Sequence, residues 1–303
     1  MALSFRLGKI PVRVQLWFFV LTCMLGAGDP RGMVAWVAIV FVSVLIHELG
    51  HATVGTAFGL TPAIELHGMG GTTSWRTSKK LSTAQRVAIS LAGPFAGFAV
   101  GGIVFGLARA GVLPVGDRWD GIVRQLLFVN VGWGVFNLLP LLPLDGGDVM
   151  LQLLQAMTGG RGERPARIVS MVAVVLVGLV AYRYMGWWGG VLALSFLATN
   201  YQGLQALRAR EDEAPMREAL RGAHEALVAR DAARALSIAR PLALHARSAP
   251  VKAQALQLVA FAFLLEGRVA DADAAIAAMP EGYTPDPQLL ATRAAAIAAT
   301  PGR

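Results

Sequence analysis

The sequence predicts a mostly α, polytopic membrane protein of about six transmembrane helices with a small membrane-associated β segment, followed by a C-terminal α-helical soluble domain. Three observations carry this. Hydrophobic residues make up 55% of the 303 positions and charged residues only 15%, against roughly 25% charged in soluble domains. The apolar residues gather into runs near 14–27, 33–58, 87–108, 122–143, 168–185 and 187–203. The 33–58, 87–108 and 168–185 runs are long enough, or nearly so, to cross about 30 Å of hydrocarbon at about 1.5 Å per helical residue. After about residue 209 the pattern becomes alanine-rich, charged and helical in period. Two domains are expected, residues 1–208 in the membrane and residues 209–303 outside it.

This composition excludes an intrinsically disordered chain and a collagen-like repeat. The single cysteine, Cys23, cannot form an internal disulfide, which excludes a disulfide-stapled secreted module. The net charge of +8 lies almost wholly in the apolar part: residues 1–203 carry 15 Lys and Arg against 8 Asp and Glu, whereas residues 204–303 carry 12 against 11. No basic, aromatic-bearing soluble face of the kind that binds nucleic acid is visible, so no nucleic-acid partner is expected.

The charges sit between apolar runs, where they read as topology signals. With six spans both termini share a side. Arg6, Lys9, Arg13, Arg76, Lys79, Lys80, Arg86, Arg161, Arg164 and Arg167 fall on it, and Arg31, Arg109, Arg118, Arg124 and Arg183 fall opposite. A multi-pass protein of the cell membrane with both termini cytoplasmic is expected. The first run has a rival reading as a signal peptide, with Arg6 to Arg13 as the basic region, Trp17–Leu25 as the apolar region and Gly26-Ala27-Gly28 as a cleavage site. The second run keeps its orientation either way.

Between Leu60 and Leu81, Ile64, Leu66, Met69-Gly70-Gly71, Thr72-Thr73 and Trp75 read as short β-prone stretches around glycines. Such a segment beside a membrane site suits a re-entrant hairpin with an open strand edge. In the tail, 216–229, 232–245, 250–266, 269–279 and 287–299 read as successive amphipathic helices. Ala229–Ala235 recurs loosely as Glu266–Ala272, a spacing of about 37 that is close to tetratricopeptide-type hairpins. The tail is expected either to offer a cytoplasmic protein partner a surface or to act as a stabilising cap.

His47-Glu48-Leu49-Gly50-His51 is the stretch that carries chemistry. On a helix His47 and His51 share a face four residues apart, so both imidazoles can reach one Zn²⁺. Glu48 projects beside them and can take a proton from water at the metal. His47 lies roughly 21 Å into its span, nearer the cytoplasmic side. Ionisable groups at that depth are costly and functional by default.

A catalytic zinc needs a third protein ligand. His224 and His245 lie in the tail, and His67 is conceivable but sits in a loop. Asp145 is the better candidate, in Asn137-Leu-Leu-Pro-Leu-Leu-Pro-Leu-Asp145-Gly146-Gly147-Asp148. Pro140 and Pro143 stop a regular helix there, and Gly146-Gly147 permits a tight turn that offers the carboxylate at the end of an apolar span.

These residues together resemble the site-2 protease family of intramembrane zinc metalloproteases. The resemblance rests on His47-Glu48-Leu49-Gly50-His51 in one span, Gly93-Pro94 in the next, and Asn137…Pro140…Pro143-Leu144-Asp145-Gly146-Gly147, covering roughly residues 33–150. It implies one zinc held by His47, His51 and Asp145, with Glu48 as general base and Asn137 beside the active site, helping to hold or polarise the substrate. It also implies hydrolysis of peptide bonds in or near the transmembrane segments of membrane-anchored proteins, with Ile64–Trp75 as a strand edge for the unwound substrate. One departure stands out: where the family often has Gly-Pro-x-x-Asn, this chain has Gly93-Pro94-Phe95-Ala96-Gly97. That departure suits an alternative, a catalytically impaired membrane adaptor recruiting partners through its helical tail.

Overall fold

The computed structural model describes residues 2–26, 30–77, 79–246 and 248–299. Of the candidate cleavage site, Ala27 and Gly28 lie outside the described residues. The chain divides into two compact units, Met1–Leu204 and Gln205–Arg303.

The first unit opens on a hairpin of β1 (Ala2–Leu7) and β2 (Ile10–Gln15), then a short helix α1 (Leu16–Leu25) and a long one, α2 (Pro30–Ala57). A second hairpin follows, β3 (Pro62–His67) and β4 (Gly70–Trp75). The four strands form one sheet in the order β1-β2-β3-β4, antiparallel within each hairpin and parallel between β2 and β3. Side chains of a strand alternate between faces. Val12, Val14, Ile64 and Leu66 accordingly line one buried face and pack with Phe18, Ile39, Val40 and Val44 of α1 and α2. At about 1.5–3 kcal/mol per buried aliphatic side chain, this face holds the sheet to α2.

The β segment expected at 64–75 is present as β3 and β4, and the sheet extends to an N-terminal hairpin where the charge pattern predicts the flank of a first span. The 14–27 run divides between the end of β2 and the ten residues of α1. Ten helical residues reach about 15 Å, half the hydrocarbon thickness.

Next come α3 (Thr83–Arg109), α4 (Asp117–Leu127), a π-helical turn (Phe128–Gly132), α5 (Trp133–Asn137), α6 (Asp145–Met157), α7 (Glu163–Met185) and α8 (Trp187–Val228), within which the division between units falls. A capping box starts α3: the Ser82 hydroxyl accepts from the Gln85 amide, and the Gln85 side chain accepts from the Ser82 amide. Among the described residues, three helical stretches are long and apolar enough to cross a membrane: Gly32–Ala57, Thr83–Arg109 and Glu163–Tyr184. About six were expected. The 122–143 run is split by the π turn and ends in non-helical backbone around Pro140 and Pro143. The 187–203 run continues into Asn200, Tyr201 and Gln202, which dilute its hydropathy.

Close approach of α2 and α3 depends on Gly50. A Cβ there would stand 2.5 Å from the Ala92 carbonyl oxygen and 2.9 Å from the Ala96 Cβ. Small residues at such a crossing let two backbones touch, which is how helices associate where lipid supplies no hydrophobic drive.

In the second unit, α9 (Ala232–His245), α10 (Ala249–Leu265), α11 (Val269–Ala277) and α12 (Pro287–Ala299) pack around alanines: Ala235, Ala239, Ala255, Ala260, Ala262 and Ala272 are fully buried. Phe263 carries the Arg240 and Arg268 guanidinium groups over its ring at 5.0 and 4.5 Å. The Arg293 side chain joins α12 to α11 through both carboxylate oxygens of Asp273. Hydrogen bonding to Arg293 holds the Asp273 carboxyl below its usual value.

A carboxyl lowered in the folded state contributes stability above its unfolded pKa of about 3.9, and loses it as pH falls through the folded value. The pair is exposed, so the effect is small and salt-sensitive. Amide-exchange protection of residues 287–299 in the full chain is expected to fall on acidification. The fall should be absent in Asp273→Asn.

Candidate metal centre

The two histidines sit where the helix argument puts them, on one face of α2. Their rings are 4.8 Å apart and nearly perpendicular. Both Nε2 atoms converge, 3.1 Å from each other. Asp145, the first residue of α6, completes the group: Oδ2 lies 3.1 Å from His47 Nε2 and Oδ1 lies 3.3 Å from His51 Nε2. No other His, Cys, Asp or Glu cluster among the described residues has this ligand geometry.

The fit to zinc can be tested on these distances. Ligands at about 2.0–2.1 Å with tetrahedral angles stand about 3.3 Å from one another. The three separations match. Asp145 Oδ2 is buried and accepts no hydrogen bond among the described residues despite its approach to His47, so hydrogen bonding alone does not account for the cluster. His51 Nδ1 lies 2.7 Å from the Ile89 carbonyl oxygen on α3. That contact makes Nδ1 the donor and leaves Nε2 with its lone pair facing the other two ligands, the usual support of a metal-bound histidine. Gly93 keeps the space open: a Cβ there would collide with Nε2 of His51 and lie 2.7 Å from Nε2 of His47. The residues present fit a zinc ion.

The segment that delivers Asp145 is held from outside. The Ser170 hydroxyl of α7 accepts from the Leu142 amide at 2.8 Å, and the Asn200 side chain of α8 donates to the Leu142 carbonyl at 2.8 Å. Ser170 and Asn200 are both fully buried. Gly146 and Gly147 let the helix start fold back on this segment, since a Cβ at either would strike backbone of residues 138–142. One turn further, Asp148 accepts from Ser90 of α3 at 2.5 Å and from Gln152 at 3.3 Å. Ser90 adjoins Ile89, so the same stretch of α3 steadies His51 and anchors α6.

Glu48 is buried, and its Oε2 accepts a 2.6 Å hydrogen bond from the Thr73 hydroxyl of β4. Gly71 of the same strand lies against the Glu48 side chain, where a Cβ would stand 2.5 Å from Cγ. Asn137 ends α5 and is half-buried; its side chain has no hydrogen-bond partner among the described residues. His67 is elsewhere. At the β3–β4 turn its Nε2 meets Thr72 at 2.9 Å and its Nδ1 accepts from the Met69 amide.

Sequence reasoning did not reach Thr73, Ser90, Asp148, Ser170 or Asn200 as supports of the site. For Ser170 and Asn200 the signal was available, since a polar residue inside an apolar run asks for a partner. Asn130 and Ser43 form another such pair, at 2.9 Å.

The model of Peptidase family M50 matches residues 113–181, the stretch that holds Asn137 and Asp145. A putative zinc metalloprotease of Synechocystis is 36% identical over 129 residues, 41% of this chain and 32% of that one. A zinc metalloprotease of Methanocaldococcus jannaschii is 26% identical over 160 residues, 51% of this chain and 46% of that one. A putative zinc metalloprotease of Mycobacterium tuberculosis is 32% identical over 200 residues, 59% and 50% of the two chains. The solved structure of a site-2 protease from Methanocaldococcus jannaschii shares the fold, with a TM-score of 0.51 and 22% identity, over 67% of this chain and 94% of that one.

These likenesses support the site-2 protease family as the one this chain resembles. The chain spans about half, or less, of the length of the curated relatives it matches. The departure at Gly97 has a physical reason. A Cβ there would stand 2.9 Å from the backbone oxygen of Asn130 in the π-helical turn. The room that an asparagine side chain would take at 97 is filled by that turn.

Proposed function

We propose that this chain is an intramembrane zinc metalloendopeptidase that cleaves peptide bonds in or near the transmembrane segments of membrane-anchored proteins. The observation that carries the reading is the convergence of His47 Nε2, His51 Nε2 and an Asp145 carboxylate oxygen at separations that suit one tetrahedral ion, with Glu48 in the same helical turn. We assign one zinc per chain to these three ligands. When bound, zinc supplies Lewis acidity that makes a water nucleophilic near neutral pH.

The chain's own groups account for the rest. Glu48 takes a proton from the attacking water as its oxygen bonds to the scissile carbonyl carbon. As the carbon–nitrogen bond breaks, Glu48 delivers that proton to the leaving amine nitrogen. Asn137, with its amide unengaged, is assigned to hold the substrate carbonyl.

A helical substrate hides its carbonyls and must be extended before attack. The free edge of β4 suits that task. The Arg76 amide donates to Thr61, which marks that pair as hydrogen-bonded. Pairs alternate along an antiparallel ladder. Thr73, three residues earlier on β4 and opposite Ile64, therefore turns its N–H and C=O away from β3. An added strand would meet those groups.

We infer a multi-pass placement in the cell membrane with both termini cytoplasmic. The surplus of basic residues on that side supports it. So does the parallel pairing of β2 with β3, because residues 12–14 and 64–66 then lie at one level and the chain between them goes out and back. Residues 209–303, with tetratricopeptide-like spacing, are proposed to serve a cytoplasmic protein partner.

The test uses the full chain in lipid with a reporter bearing one transmembrane segment. Cleavage is expected, is lost with a chelator and returns with Zn²⁺. A zinc-loaded protein that yields no product, or cleavage indifferent to chelation, overturns the reading.

A further inference from the structure

We infer that Thr73 is the positioning residue of Glu48, fixing which carboxylate oxygen handles the proton and tying that oxygen to the strand edge where the substrate docks. This rests on the peptidase reading above. The Thr73 hydroxyl has one proton and two acceptors within reach, Glu48 Oε2 at 2.6 Å and the Glu48 backbone oxygen at 3.2 Å. The shorter contact is to the carboxylate oxygen, at a length usual for a strong O–H···O bond. The proton therefore goes to Oε2.

Glu48 Oε1 accepts no hydrogen bond among the described residues and is not among their fully buried, unpartnered atoms. With Oε2 engaged, Oε1 is the oxygen left to take a proton from water. Gly71, whose added Cβ would stand 2.5 Å from Oε1, keeps that side clear. Two residues of one strand thus set the carboxylate from two sides.

The strand gives the contact its meaning. The Thr73 side chain shares a sheet face with Ile64, the buried face on α2, while its backbone groups point to the open edge. A substrate strand pairing at Thr73 would fix the residue that fixes the general base. Docking and proton transfer then meet in one side chain, and an isolated short peptide that cannot pair with β4 leaves Glu48 less well held.

The experiment compares Thr73→Val, which keeps the shape and removes the hydroxyl, with Thr73→Ser, which keeps the hydroxyl. Full-length protein in lipid is used with the transmembrane reporter, and kcat, KM and zinc content are measured. Thr73→Val is expected to lower kcat by roughly 10–100-fold, the usual effect of removing a partner of a site residue, with KM within about twofold and zinc content unchanged. Thr73→Ser is expected to stay within about threefold of the parent.

An unchanged kcat in Thr73→Val overturns the proposal. So does an equal loss in Thr73→Ser, which would assign the effect to strand packing, or a loss confined to KM, which would assign it to docking alone. Glu48→Gln, run alongside, separates the two levels. If it still cleaves, the reading of Glu48 as base fails and this inference falls with it. If it is inactive while Thr73→Val is normal, only the inference fails.

Discussion

Replacing Glu48 with glutamine is expected to leave zinc bound and to lower kcat by roughly 10²–10⁴-fold, the range that a positioned general acid–base contributes. Glutamine has nearly the volume of glutamate, and its amide oxygen can still accept from Thr73, so neither the packing on Gly71 nor the contact with β4 is lost. What it lacks is a second lone-pair oxygen basic enough to accept a proton. His47, His51 and Asp145 are untouched, and zinc content should stay at the parent value. Reporter cleavage within about tenfold of the parent, at equal zinc content, would remove Glu48 from the role of base.

Asp145→Ala is expected to have the opposite signature, a loss of zinc before any question of turnover. Two imidazoles would remain, their Nε2 atoms 3.1 Å apart, without the negative charge that offsets the dication. Outer partners alone are worth 10–100-fold in metal affinity, so removing a ligand should exceed roughly 100-fold. Zinc per chain after dialysis, with melting of the metal-free protein as a control for folding, reads the effect. Unchanged occupancy would send the search for a third ligand elsewhere. His67 is then a poor refuge, since both its ring nitrogens are occupied at the β3–β4 turn.

The candidate centre was largely legible in the sequence because it breaks the surrounding rule. In a chain with so few charges, His47, Glu48, His51 and Asp145 stand out inside or beside apolar runs, and a helix brings i and i+4 together without further information. The β3–β4 hairpin was legible for a similar reason: its glycines and β-branched residues are local signals. The N-terminal hairpin was not. Arg6, Lys9 and Arg13 read as flanks of a span, yet Arg6 and Arg13 sit within strands whose apolar residues alternate and Lys9 sits in the turn between them. The partner that gives β2 its place, β3, lies about 50 residues away. The supports of the site share this character. Thr73 is 25 residues from Glu48, and Asn200 is 58 from Leu142. Nothing in a local pattern announces such pairs; only the fold brings them together.

The grip of Ser170 and Asn200 on Leu142 bears on what a ligand motif leaves out. A search for ligand motifs inspects the histidines, the glutamate and the aspartate, and it would accept any chain that keeps them. Here the non-helical backbone that presents the aspartate is satisfied by two buried side chains, Ser170 of α7 on its amide and Asn200 of α8 on its carbonyl. A relative with apolar residues at both positions would keep every letter of the motif and lose the setting of its third ligand. In this chain the pair at 170 and 200 holds the backbone that delivers Asp145, and it lies partly beyond residue 181, where the family match ends.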